Sequence, residues 1–253
     1  MKRNLLIAIA VTAFMLATTI AQAADFEFSG KFRPRFEIQE DADSRNSTRA
    51  LWDTRARLNA KAKVNANTEV FLQFQARGVW GNTGDTAATT GRVAYGAAPA
   101  NDAVDDVGMH QAYVTLKSFM GQQVDLKLGR QEIVFDGHRL FGNTIWTQGG
   151  QTNDAVRFNH SAGNHELNVI YIEAEEAGDA DGVNDDRNNG TYVVRAATQG
   201  VMGGNLAGYF LLHDDNSGAS GDNQWYTVGA RQAGKLGGLD YRVEYYHQFG
   251  DGA

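Results

Sequence analysis

From Phe26 to Ile38 the chain alternates without a break. Phe26, Phe28, Gly30, Phe32, Pro34, Phe36 and Ile38 hold one parity, and Glu27, Ser29, Lys31, Arg33, Arg35 and Glu37 the other. A period of two marks a strand with one apolar and one polar face. The run is longer than the usual globular strand and suits a tilted transmembrane strand, which needs about nine to eleven residues. Residues 50–64 repeat the rule, with Trp52, Ala56, Leu58 and Val64 against Asp53, Arg55, Arg57, Asn59, Lys61 and Lys63. Their Ala and Lys content also suits a helix, but a helix scatters those charges around its cylinder, whereas a strand gathers them on one side. Residues 69–80 set Val70, Leu72, Phe74 and Trp80 against Glu69, Gln73, Gln75 and Arg77. Further strands are predicted near 108–118, 123–132, 154–160, 165–174, 190–199, 205–213, 224–233 and 238–249, eleven in all.

The connections alternate in length. Turns at 65–67, 119–121, 161–164, 200–204 and 234–237 interleave with longer loops at 40–48, 81–107, 133–153, 175–189 and 214–223. Outer-membrane barrels are built with short periplasmic turns and longer extracellular loops, and a water-soluble meander has no reason to sort them. The predicted fold class is therefore all-β, an antiparallel transmembrane β-barrel. Single-chain bacterial barrels have an even strand number. Residues 24–253 are accordingly read as the N-terminal part of a barrel of about 16–18 strands, with the C-terminal strands missing.

Composition adds a compartment. Met1-Lys2-Arg3, the apolar run Leu5–Ile20 and Ala21-Gln22-Ala23 form the charged, apolar and small-residue regions of a secretory signal peptide over residues 1–23. Lys2 and Arg3 are the only charged residues in that segment, so its removal takes the formal charge from −7 to −9. Export by the Sec route to the outer membrane of a Gram-negative cell is the expected localisation. Cysteine is absent, so disulfides contribute nothing even in an oxidising compartment.

Charge separates by place. The longer loops collect acids, whereas the inward parity favours bases: Arg33, Arg35, Arg55, Arg57, Arg77, Arg157 and Arg195, with Lys31, Lys61 and Lys63. Arginine keeps its charge and pairs bidentately with carboxylates, and rings of Arg or Lys line anion-selective pores. An anion path is the leading reading. In a general diffusion porin of weak selectivity, the same arginines would be neutralised by Glu and Asp across strands. A structural or adhesion barrel would present its acidic loops instead.

The stretch Gly129–Phe158, GRQEIVFDGHRLFGNTIWTQGGQTNDAVRF, contains a loop of about twenty residues without helical pattern, a length that is usually functional. It is expected to fold inward as a constriction where Arg130, Arg139 and Arg157 meet Asp154, with Phe135, Phe141 and Trp146 packing it against the wall. The alternative is an extracellular loop with Trp146 in the interfacial aromatic girdle.

Other chemistry is thin. Asp179, Asp181 and Asp185 supply oxygen ligands, but the spacing and terminal Glu of an EF-hand are absent, so a solvated acidic loop is preferred to a Ca²⁺ site. The six histidines are dispersed without zinc spacing. Ser161 and His165 fall at a predicted turn with no nucleophile elbow. No enzymatic activity and no cofactor are expected.

The pattern Gly129-Arg130-Gln131, Arg139-Leu140, Gly142, Trp146 and Asp154-Ala155-Val156-Arg157, together with the first two strands, resembles the alginate export family of outer-membrane β-barrel porins. The resemblance implies an arginine-rich lumen conducting an anionic polyuronate, with Arg130, Arg139 and Arg157 lining the pore and Asp154 as their counter-charge. Gly150-Gln151 stands where the family often has Gly-Arg, so one expected positive charge is absent. Expected partners are outer-membrane lipid, an anionic solute or polysaccharide such as alginate, and periplasmic secretion proteins. Nucleic acid is not among them.

Overall fold

The computed structural model describes residues 25–40, 48–79, 107–176, 188–215 and 223–251. The signal segment 1–23 and the acidic run with Asp179, Asp181 and Asp185 lie outside them, as do most of the longer loops. Eleven strands follow chain order in one antiparallel sheet. They are β1 Asp25–Glu40, β2 Thr48–Asn65, β3 Thr68–Val79, β4 Val107–Leu116, β5 Val124–Gln131, β6 Asn153–Ala162, β7 His165–Glu176, β8 Asn188–Val201, β9 Gly204–Asp215, β10 Asn223–Leu236 and β11 Leu239–Gly250. Apart from a 3-10 turn at Phe119–Gly121, no helix occurs among the described residues.

Every predicted strand is present, and most are longer than their apolar pattern. β8 runs on to Val201, which shrinks the expected turn at 200–204 to Met202-Gly203. Both of its residues have positive φ, as do Gly237 and Gly238 between β10 and β11. That geometry matches the right-handed twist of the flanking strands. At the β2–β3 turn the Asn65 side chain accepts the Asn67 amide at 2.9 Å, an Asx turn.

Contacts group the chain into two compact units, Met1–Tyr113 with Glu132–Thr152, and Val114–Gln131 with Asn153–Ala253. In the first unit Phe26, Phe28, Phe32, Trp52 and Leu58 are exposed on one face, while Asp53, Arg55 and Gln73 are buried on the other. This inverts the soluble pattern, in which large apolar groups go inside and charges almost never do. Such an inverted pattern is the one carried by strands that face lipid with their apolar side.

The second unit repeats it in part, because Ile170, Ile172 and Val193 are buried on the same face as Asn168 and Arg195. Phe158, Val169, Val194 and Phe210 are exposed on one face, whereas Asn168 and Arg195 are buried on the opposite one. On the exposed face Tyr171, Tyr192, Leu212, Tyr226 and Phe249 stand side by side in register across β7–β11. Ring centroids are 4.9 Å apart for Tyr171–Tyr192 and 5.5 Å for Tyr226–Phe249. Tyr171 and Tyr192 flank the longer connection, which is where an interfacial aromatic girdle belongs.

Candidate functional site

Register brings the arginines of the first unit together. Arg33 on β1 lies opposite Arg55 on β2, which lies opposite Arg77 on β3. Like charges directly opposite on one face repel, so this row needs an external partner. The segment Glu132–Thr152 supplies it.

That segment is closed by its own hydrogen bonds. Phe135 N donates to Phe141 O at 3.2 Å and Gln151 N to Asn143 O at 3.0 Å. Ile133 and Phe135 are buried, and Phe135 meets Phe141 edge-on at 5.9 Å. From this anchor the tip reaches the arginines with its backbone carbonyls. Arg33 donates to Ile145 O, to Trp146 O at 2.8 Å and to Gln148 Oε1 at 3.1 Å. Arg55 donates to Thr147 O at 3.1 Å and Arg35 to Trp146 O at 3.2 Å. Gln75 Nε2 holds Gly149 O at 2.8 Å.

Carboxylates neutralise some of these cations and not others. Asp53 takes Arg35 through both oxygens, the shortest contact being 2.5 Å, and also accepts Gln148 Nε2. Glu132 takes Arg57 Nη1 at 3.0 Å. Arg33 and Arg55 donate to neutral oxygens alone and meet no carboxylate among the described residues. Gly150 makes the fit possible. Its φ is +74°, and an added Cβ would sit 2.6 Å from Arg57 Nη2 and 3.0 Å from His110 Cε1.

Glu132 is the hub of the loop root. Its carboxylate meets His110 Nε2 at 3.0 Å and accepts Asn143 Nδ2 at 2.8 Å. Its amide opens a one-way chain of hydrogen bonds, in which Glu132 N donates to Gln111, Gln111 to Gln73, Gln73 to Asn59 and Asn59 to Ser29. Burial pushes the Glu132 carboxyl up, but His110, Asn143 and Arg57 outweigh it and hold the group at about 2. A depressed carboxyl stabilises the docked loop above its ordinary value and loses that contribution as pH falls through the folded value. Docking is therefore expected to persist at neutral pH and to weaken between 4.5 and about 2. Pepsin cleavage within 144–151 should appear across that window, and Glu132→Gln should abolish its pH dependence.

In the second unit Arg157 donates to Asn168 Oδ1 at 2.8 Å, and Arg195 donates to Glu166 Oε2 at 2.8 Å beneath a cation–π contact with Tyr209. Lys127 lies opposite Arg157 on the same face.

Three expectations need correction. Arg130 does pair with Asp154, at 2.9 and 2.7 Å. Both, however, carry the parity of Leu128, Val156 and Phe158, the face opposite Arg157. Arg157 therefore does not join Arg130 at Asp154, because it stands on the opposite face of β6. Arg139 is exposed in the loop. Trp146 does not pack the loop. It is 72% exposed, with Arg35 lying 5.8 Å from its ring centroid. Its carbonyl contacts with Arg33 and Arg35 place its backbone on the charged face of the first unit. Residues that sequence reasoning did not select are Glu132, Gln148 and the Gln73–Gln111 link. A lone Glu where a strand of the basic region opens into the loop was the available signal.

The model of a protein family described as alginate export matches residues 25–253. No curated protein matches the chain.

Proposed function

Since the chain belongs to the alginate export family, a family of outer-membrane β-barrel transport proteins, we propose that it passes anionic solutes along an arginine-lined path. An acidic polysaccharide such as alginate is the cargo the family suggests. The observation carrying this reading is the pair Arg33 and Arg55, set in register on the face away from lipid and compensated by carbonyls instead of carboxylates. Neutral acceptors leave the positive field in place for a passing anion. Arg35, Arg57 and Arg77 share that face and join the proposed path, Arg157 and Arg195 hold the polar face of the second unit, and Arg130 and Asp154 stand on the opposite parity from Arg157. Proposed location is the outer membrane of a Gram-negative cell after Sec export, with lipid and periplasmic secretion proteins as partners.

The test is the reversal potential of the full chain in planar bilayers under a salt gradient. Anion preference supports the proposal. Equal passage of potassium and chloride would return the wall to a general diffusion porin, which the balanced pairs Arg195–Glu166 and Arg231–Glu244 favour.

A further inference from the structure

Trp146 is the largest exposed side chain at the loop tip, and neither the fold nor the ion path explains it. A tryptophan 72% exposed costs hydration, and the loop holds itself together without it, through Thr147 N to Thr144 O at 3.0 Å and Gly150 N to Thr147 Oγ1 at 3.0 Å. Its backbone is fixed at the arginine row, because Arg33 Nη2 and Arg35 Nη1 both donate to Trp146 O. Arg35 also lies 5.8 Å from the ring centroid, which steadies the indole. A broad, rigid aromatic surface thus stands within one residue of Arg33 and Arg55, which meet no carboxylate among the described residues.

Two chemistries meet there. Indole faces receive the axial C–H side of a pyranose ring, an apolar patch on an otherwise polar molecule. Guanidinium groups receive a carboxylate, and more strongly than they receive a carbonyl. We propose that Trp146 is a stacking platform for a sugar ring whose carboxylate is taken by Arg33 in exchange for a loop carbonyl. The ligand class is a uronate residue of an acidic oligosaccharide. The site deepens the anion-path reading and rests on it. It gives Trp146 a task that small anions do not need, which is to distinguish a charged sugar from any other negative ion.

The experiment is block of chloride current through the full chain in planar bilayers, with a short oligomannuronate and, separately, acetate as probes. Trp146→Ala should raise the half-blocking concentration of the oligomannuronate by about tenfold and leave the acetate response and the chloride preference unchanged. Trp146→Phe should restore most of the block. High exposure makes both variants compatible with folding. If chloride preference is intact and Trp146→Ala blocks at the unsubstituted concentration, the stacking role is overturned and the anion path stands. If the unsubstituted channel shows no anion preference, the anion path falls and the stacking role with it.

Discussion

Asp53→Ala is expected to destabilise the protein by about 3 kcal/mol while making the channel more anion-selective. The two effects have one cause. Asp53 is 6% exposed on β2 and neutralises Arg35, which lies opposite it on β1. It also accepts Gln148 Nε2 at 2.5 Å, so it ties a strand arginine and the loop to one carboxylate. Removing one partner of a buried pair leaves the other desolvated and uncompensated, the costly way to break such a pair. The same removal adds one net positive charge to the face. Urea unfolding in detergent micelles reads the first effect and reversal potential the second. Asp53→Asn keeps a hydrogen-bond acceptor for Gln148, so it should lose less stability than Asp53→Ala while shifting the reversal potential as far. A loss below about 1 kcal/mol would place the pair among ordinary surface ion pairs.

The joint change Arg33→Ala with Arg55→Ala should move selectivity the opposite way. A unit charge about 8 Å from a passing ion in water changes its energy by roughly 0.5 kcal/mol, with opposite signs for anion and cation. Two lost charges should thus lower the anion-to-cation permeability ratio by about fivefold at 0.1 M salt, once screening is allowed for. Field and loop position separate with lysine. Arg33→Lys with Arg55→Lys keeps the charge but loses the planar fork that grips several carbonyls. Selectivity should then hold while protease cleavage within 144–151 increases. Should the alanine pair leave the reversal potential unmoved, these arginines only anchor the loop.

Much of this architecture was legible before any coordinates. Thirteen alternating positions from Phe26 to Ile38 leave few alternatives to a strand, and side-chain parity assigns Arg33 and Arg55 to the face opposite Phe32 and Trp52. Parity also gives the right answer for Arg130, since stepping back by two reaches Leu128 and Leu126. The expectation failed there because likeness of a segment carries no information about faces. Trp146 and Gln148 were illegible for another reason. A loop has no period, so whether a side chain points at solvent or at a strand depends on tertiary contacts such as Gln75 with Gly149. The girdle of Tyr171, Tyr192 and Tyr226 needed the cross-strand register, which no single strand contains.

The arginine row has a consequence for the order in which the molecule forms. Adjacent N-terminal strands face each other with cations, and their relief comes from residues 92 to 115 positions downstream. Such distant pairings raise contact order, which slows folding, because loop-closure entropy is spent before the contact rewards it. The first hairpin is thus a late beneficiary of its own sequence: β1 and β2 gain their full stability only when the chain beyond β5 has arrived.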